Sequence, residues 1–402
     1  MKKSVLFVIN TLGHAGAETA LIELLWQMNP KQYHISLIVL MNQGELVHRL
    51  PPYVKLLNQN YKDMSVYGKS GQRALQQTVL RATFLRGTIF WRLPYLVKNL
   101  ILMIKNTNVR FDRLAFRLIA DGAPRLRAHY DLAVAYLEGA STYYLADYVK
   151  AAKKAAFLHV DYEQAKYSKA LDLDCYLNMD CIFTVSDEVK DSFLKVYTRY
   201  RKKTKVFHNL INPDEIRRRA KEAGGFTDHF QGYRILTAGR LVHQKAYDIA
   251  VETMRLLKAE GYPVKWYVLG EGILHNKLKK QIKNCELDKD FLLLGHADNP
   301  YPYFAQTDFY VHATRFEGKS IAIQEAQILG CAIIASDCSG NREQIISGTD
   351  GLLCELTPQK IKESIVSLIQ DDALRKQLSE AAKSKKTAHP GELEQLLNLL
   401  EE

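Results

Sequence analysis

The chain has 402 residues, of which 47% are hydrophobic and 25% charged, with a formal net charge of +11. That length exceeds one typical core and predicts two domains, and the composition excludes a largely disordered chain. Cys175, Cys181, Cys285, Cys331, Cys338 and Cys354 lie mostly in apolar runs with no C-x-x-C pair. This argues against a disulfide framework or structural zinc site, and for a reducing compartment.

The first ten residues, Met1–Asn10, carry an apolar stretch of only about six residues and no small-residue cleavage site, so they read as a strand rather than a signal peptide. In the first half, strands are predicted at Ser4–Asn10, Ile35–Met41, Asp131–Leu137, Ala155–Val160 and Cys181–Val185. In the second half they fall at Arg234–Ala238, Val264–Leu269, Phe291–Leu294, Phe309–Ala313, Ala332–Ala335 and Gly351–Cys354. Many are continuous apolar runs, as parallel strands buried on both faces require. Helical patterns such as Ala17–Met28 and Tyr247–Glu260 fill the gaps, which predicts an α/β chain of two doubly wound domains. A short strand followed by polar residues and proline, Lys203–Pro213, sets the boundary near Asn209–Asp214. The expected division is 1–208, 209–386 and, after the break at Thr387–Gly391, a terminal amphipathic helix, 387–402, with the first domain as its candidate support. No apolar run approaches the roughly 20 residues needed to span a bilayer, so a cytosolic protein is expected.

The positive charge is concentrated. Between Lys62 and Arg127 thirteen basic residues, among them Arg73, Arg81, Arg86, Arg92, Lys98, Lys105 and Arg110, face only Asp63, Asp112 and Asp121. Phe84, Phe90, Trp91, Leu96, Ile101, Phe111 and other large apolar residues are interleaved. Such a basic amphipathic segment fits an anionic membrane surface. Two alternatives stay open: a helical hairpin packed on its own domain with solvated charges, or a nucleic-acid contact, for which no recognition motif is present.

Six stations fall at predicted carboxyl ends of strands, where open α/β sheets bind ligands. Gly13-His-Ala-Gly16-Ala-Glu18 suits close approach of a phosphate, or is a plain βα turn. His159, in Phe157-Leu-His159-Val-Asp161, is a candidate for holding a sugar or leaving phosphate, or a structural histidine. Arg240 and Lys245 supply a forked donor and a mobile point charge for a diphosphate, or are two surface cations. Gly270-Glu-Gly272 suggests only a close backbone approach. Glu317 and Glu325, separated by seven residues in Glu317-Gly-Lys-Ser-Ile-Ala-Ile-Gln-Glu325, stand in a strand-to-helix loop and between one and two turns into the helix. Both carboxylates can then face one ligand, with sugar hydroxyls at Glu317 and a ribose at Glu325. Ser339–Glu343 reads as a helix-start loop. Asp172-Leu-Asp174 has the D-x-D form of metal-dependent sugar transferases, but its polar setting away from a strand end reads as surface charge.

Together, Gly13-His-Ala-Gly16-Ala-Glu18, Gly239-Arg240-Leu-x-x-Gln-Lys245, Gly270-Glu-Gly272 and Glu317-x7-Glu325 resemble the retaining family 4 glycosyltransferases of the GT-B fold, of the bacterial cell-surface polysaccharide type. The resemblance implies two Rossmann-like domains with a cleft between them. It implies sugar transfer from a nucleotide donor of UDP type, without a metal or other cofactor, to a glycan or lipid-linked acceptor. Arg240 and Lys245 would neutralise the diphosphate, Glu317 would hold the donor sugar, and His159 would line its pocket. Gly13, Gly16, Gly270, Gly272, Gly318, Lys319, Ser320 and Glu325 would be donor-side positions. The departures are Ala246 after the Gln-Lys pair, and Lys319-Ser320 where Phe-Pro is common, which leaves the donor sugar open. No nucleic-acid partner is implied, and the expected place of work is the inner face of a membrane. Two other classes remain, a non-catalytic nucleotide-sugar binding module and a sugar-nucleotide isomerase, because fold alone does not separate them.

Overall fold

The structure is a computed structural model that describes residues 2–66, 68–85, 87–105, 111–387, 389 and 391–401. Arg86 and Arg110 of the basic segment, Ala388 and Pro390 of the break before the last helix, and Glu402 lie outside the described residues. The chain forms two compact units, Met1–Leu210 with Pro390–Glu402, and Ile211–His389.

In the first unit, β1 (Lys3–Ile9), β2 (Tyr33–Val39), β3 (Lys55–Leu56), β4 (His129–Ala135), β5 (Lys150–Leu158), β6 (Cys181–Thr184) and β7 (Thr204–Val206) form one parallel sheet. Its order is β3-β2-β1-β4-β5-β6-β7. The helices of this unit include α1 (Gly16–Gln27), α2 (Lys69–Leu80), α3 (Thr88–Lys105), α4 (Phe111–Gly122) and α5 (Ala140–Tyr148). In the second unit, β8 (Tyr233–Ala238), β9 (Val264–Leu269), β10 (Phe291–Gly295), β11 (Phe309–His312), β12 (Ala332–Ser336) and β13 (Leu352–Cys354) form a parallel sheet in the order β10-β9-β8-β11-β12-β13. Alternation along these strands divides the second core. Ile235, Trp266, Val268, Val311 and Ile334 pack on one face. Leu236, Tyr267, Leu269, Tyr310 and Ile333 pack on the other. With both faces covered, the strands carry no polar alternation, which is why they read as apolar runs.

Helices α3 and α4 of the basic region depart from one alternative, the packed hairpin with solvated charges. Their cations are not uniformly solvated. Arg92 donates to both oxygens of Asp121 at 2.7 and 3.0 Å, and Arg113 donates to the Tyr167 hydroxyl at 2.5 Å. Arg117 is 1% exposed, donating to Asp147 at 2.6 Å and lying over the Tyr143 ring at 4.0 Å. These residues hold α3 and α4 to the unit, whereas Arg73, Arg81, Lys98 and Lys105 are exposed.

Candidate functional site

In the second unit the neighbours β8 and β11 carry their chain connections to opposite sides of the sheet. Their carboxyl ends therefore form a topological switch point, where open α/β sheets bind ligands. The loop after β8, Gly239–Ala246, and the loop after β11, Ala313–Ser320, are tied by Gln244. Its carbonyl accepts from Thr314 Oγ1 at 3.0 Å and from Arg315 N at 2.8 Å. Its side-chain amide donates to Phe316 O at 2.8 Å. Arg315 closes the seam by donating to both oxygens of Asp248, at 2.7 and 3.0 Å.

Inside that seam Lys245 Nζ donates to Glu317 Oε2. His312, 1% exposed, places Nε2 at 3.2 Å from the same oxygen and at 3.4 Å from Lys245 Nζ. The Tyr310 hydroxyl lies 3.1 Å from His312 Nδ1. A neutral imidazole satisfies this chain by donating from Nε2 to Glu317 and accepting from Tyr310 at Nδ1. Burial pushes the Glu317 pKa up, but Lys245 and His312 outweigh it and carry it down to about 2. Burial, together with the Lys245 charge, lowers that of His312. The outcome is an ionised Lys245–Glu317 pair backed by a neutral histidine. Where the sequence suggests a mobile cation, the structure holds Lys245 in place.

The neighbouring stations pack on this pair's loops. Arg240 stands half-buried on the Lys245 loop. A Cβ on Gly270, which has φ +140°, would meet Gly239 O at 2.1 Å, and one on Gly272 would meet Leu241 O at 2.4 Å. These glycines thus let the two loops touch backbone to backbone. A Cβ on Gly340 would fall 1.7 Å from Gly318 O, so the Ser339–Glu343 loop presses on the segment that carries Glu317. Gln344 fixes the far end of that segment, accepting from Ser320 N at 2.7 Å and donating to Ser320 O at 2.8 Å. Lys319 Nζ lies 3.4 Å from His389 Nε2. Glu325, in helix Ile321–Leu329, accepts from the Tyr301 hydroxyl at 3.2 Å.

In the first unit the predicted residues stand after the ends of β1 and β5. Gly16 opens α1, whose N-cap Ala15 offers no side-chain cap. Gly13 is buried, and a Cβ there would meet Val66 at 2.9 Å. The backbone N–H of His159 donates to Glu138 Oε2 at 3.0 Å, and its ring packs on Tyr136 at 5.2 Å between centroids. Burial lowers the His159 pKa to about 4 against the opposing hydrogen bond at Tyr136, so the imidazole is neutral near pH 7. Asn10 connects the ends of β1 and β4, donating to Glu138 O at 3.4 Å and accepting from Ser141 N at 2.9 Å. Sequence reasoning passed over Asn10, Glu138, Tyr310, His312 and Gln344. The available signal was a polar side chain at, or just inside, the end of an apolar run.

Asp172 overturns the surface-charge reading of the D-x-D segment, since it is fully buried. Tyr143 donates to its Oδ1 at 2.8 Å, and Tyr162 and Tyr197 donate to its Oδ2, the latter at 3.0 Å. Asp174 accepts from Arg199 and, at 2.6 Å, from Tyr200. Asp172 is thus a structural hub of the first unit, whereas Asp174 is partly exposed. Burial, opposed by the three tyrosines and Arg117, raises the Asp172 pKa to about 6.

Residues 230–385 match the family model of glycosyl transferases group 1. The chain is 31% identical over 215 residues to the N-acetylgalactosamine-N,N'-diacetylbacillosaminyl-diphospho-undecaprenol 4-alpha-N-acetylgalactosaminyltransferase of Campylobacter jejuni, covering 53% of this chain and 57% of that protein. It is 24% identical over 207 residues to the poly(glycerol-phosphate) alpha-glucosyltransferase of Bacillus subtilis, covering 51% of this chain and 30% of that protein. The chain therefore spans less than two thirds of either relative's length. Among solved structures, Anabaena Alr3699/HepE in complex with UDP superposes with a TM-score of 0.64 at 16% identity over 100% of both chains. The Staphylococcus aureus TarM G117R mutant gives a TM-score of 0.55 at 17% identity, covering 67% of this chain and 55% of that one. These likenesses show the fold, which is GT-B with two Rossmann-like domains.

Proposed function

We propose, on the premise that residues 230–385 are a glycosyl transferases group 1 domain, that the chain is a retaining, metal-independent glycosyltransferase of family 4 type. It moves a sugar from a UDP donor to a glycan or lipid-linked acceptor in cell-surface polysaccharide synthesis. The observation that carries this reading is the largely buried Lys245–Glu317 pair at the β8/β11 switch point, with His312 behind it.

As the bond between the anomeric carbon and the diphosphate oxygen breaks, negative charge grows on the leaving phosphate. Lys245 has three N–H donors, so one ammonium serves both Glu317 and that phosphate, while Arg240 supplies a second cation. Such preoriented charge stabilises the transition state with little reorganisation. Glu317, held ionised, accepts from hydroxyls of the donor sugar, and Glu325 from the ribose. In the first unit, neutral His159 is a separate candidate for contacting a sugar. The acceptor oxygen bonds the anomeric carbon on the face the diphosphate leaves, and its proton passes to the departing phosphate. Metal independence is supported by Asp172 and Asp174, whose carboxylates are already engaged by tyrosines and Arg199. The UDP-bound fold relative and the diphospho-undecaprenol named for the Campylobacter relative favour a UDP donor and a lipid-linked acceptor. A lipid-linked acceptor places the work at the cytoplasmic face of a membrane, which exposed Arg73, Arg81, Lys98 and Lys105 favour when that face is anionic.

The test is incubation of the full chain in EDTA with a panel of UDP-sugars and polyprenyl-diphosphate-linked glycans. Acceptor-dependent UDP release with retained anomeric configuration is expected. Conversion of donor to an isomer without acceptor, or tight donor binding with no turnover on any acceptor, overturns the reading.

A further inference from the structure

Helix α3 is apolar on two opposite sides. Tyr95, Asn99 and Met103, spaced four residues apart, are buried against the first unit. Tyr95 donates to Leu171 O at 3.0 Å, and Asn99 to Ala170 O at 3.3 Å. At about 100° per residue, Phe90, Leu93, Val97, Ile101 and Ile104 fall on the opposite side. All five are exposed, Phe90 at 79% and Ile104 at 59%, and Trp91 on the flank reaches 87%. A continuous stripe of this kind, unlike a scattered surface leucine, calls for a covering partner.

Charge decides which partner. Thr88–Lys105 contains no Asp or Glu, while Lys98 and Lys105 are exposed. A second copy laid helix to helix would bring these cations together with no acid from either helix. An anionic lipid surface accepts both parts, with acyl chains for the stripe and phosphates for the lysines. No helix among the described residues is long and apolar enough to cross a membrane, so α3 lies along the surface.

We infer that α3 is an interfacial anchor whose Phe90–Ile104 stripe inserts among the acyl chains of an anionic membrane, with Lys98 and Lys105 at headgroup level. This rests on the membrane part of the proposed function and goes beyond adsorption by charge. The experiment uses the full chain with phosphatidylglycerol–phosphatidylcholine vesicles carrying brominated acyl chains. Bromine quenching of tryptophan fluorescence is expected in the unaltered protein and is lost in Trp91→Phe, which still binds. Binding persists at high salt, because only the electrostatic part is screened. Replacing Phe90, Val97, Ile101 and Ile104 together by Gln is expected to weaken binding on the order of 100-fold. Thermal unfolding and UDP affinity of that variant stay unchanged, since all four side chains are exposed. Vesicle binding without quenching, abolished by salt, leaves the membrane reading standing and overturns insertion. No binding even at low salt overturns both. Concentration-dependent dimers dissolved by the same four substitutions make a second copy the occupant and overturn the lipid assignment.

Discussion

Glu317 is a largely buried carboxylate and Asp172 a fully buried one, yet their surroundings push them in opposite directions. Glu317 has a folded pKa near 2, below its ordinary 4.5. Its contribution to stability is complete above the ordinary value and is lost as pH falls towards 2. Asp172 has a folded pKa near 6, above its ordinary 3.8. Folding favours its protonated form, so that contribution is complete below 3.8 and declines as pH rises towards 6. Urea unfolding across this range is expected to separate them. Glu317→Gln removes part of the acid-side loss, while Asp172→Asn removes the decline on the way to pH 6. Asp172→Ala, which leaves the Tyr143 and Tyr197 hydroxyls without their acceptor, is expected to cost about 3–5 kcal/mol. A loss below 1 kcal/mol would remove Asp172 from its role as hub. For catalysis, Lys245→Ala is expected to lower turnover on the order of 10²–10³. Steady-state rates near normal in both Lys245→Ala and Arg240→Ala would exclude the diphosphate clamp.

At the scale of loops and strands, the pair depends on backbone contacts that a methyl group would break. Gly340→Ala puts a Cβ 1.7 Å from Gly318 O and must displace the segment carrying Glu317. UDP affinity by calorimetry is expected to fall by about tenfold or more, while the far-ultraviolet circular dichroism stays unchanged; unchanged affinity would show that this loop does not set the site. The same elements show what a sequence discloses. The strands of the second sheet were legible within a residue or two because both faces are buried, which leaves long apolar runs. The two-residue strand β3 was not, since an edge pairing so short has no period. Glu317 and Lys245 were visible as spaced charges at strand ends. Their partner His312 was hidden inside the apolar run of β11, where a lone polar side chain carries no spacing signal. Asp172 was misread because its acceptor role depends on Tyr143, Tyr162 and Tyr197. Those tyrosines come from separate parts of the chain, and only tertiary packing joins them.

Across the whole molecule, the GT-B fold supplies two Rossmann-like units whose strand ends each collect polar residues: Asn10, Glu138 and His159 in the first, Lys245, His312 and Glu317 in the second. The second set holds Lys245 against the ionised Glu317 carboxylate, with neutral His312 behind it. Of the D-x-D segment, Asp172 is committed to the first unit's interior, while Asp174 is partly exposed and paired with Arg199. The most direct test is therefore calorimetric titration of the full chain with UDP in EDTA, comparing the unaltered protein with Lys245→Ala. The unaltered protein is expected to bind UDP in EDTA, with no gain on adding manganese, and Lys245→Ala to bind on the order of tenfold or more weakly, as loss of a charge-assisted contact requires. Binding that appears only with manganese, or an affinity that Lys245→Ala leaves untouched, would contradict a metal-free diphosphate site built on the Lys245–Glu317 pair.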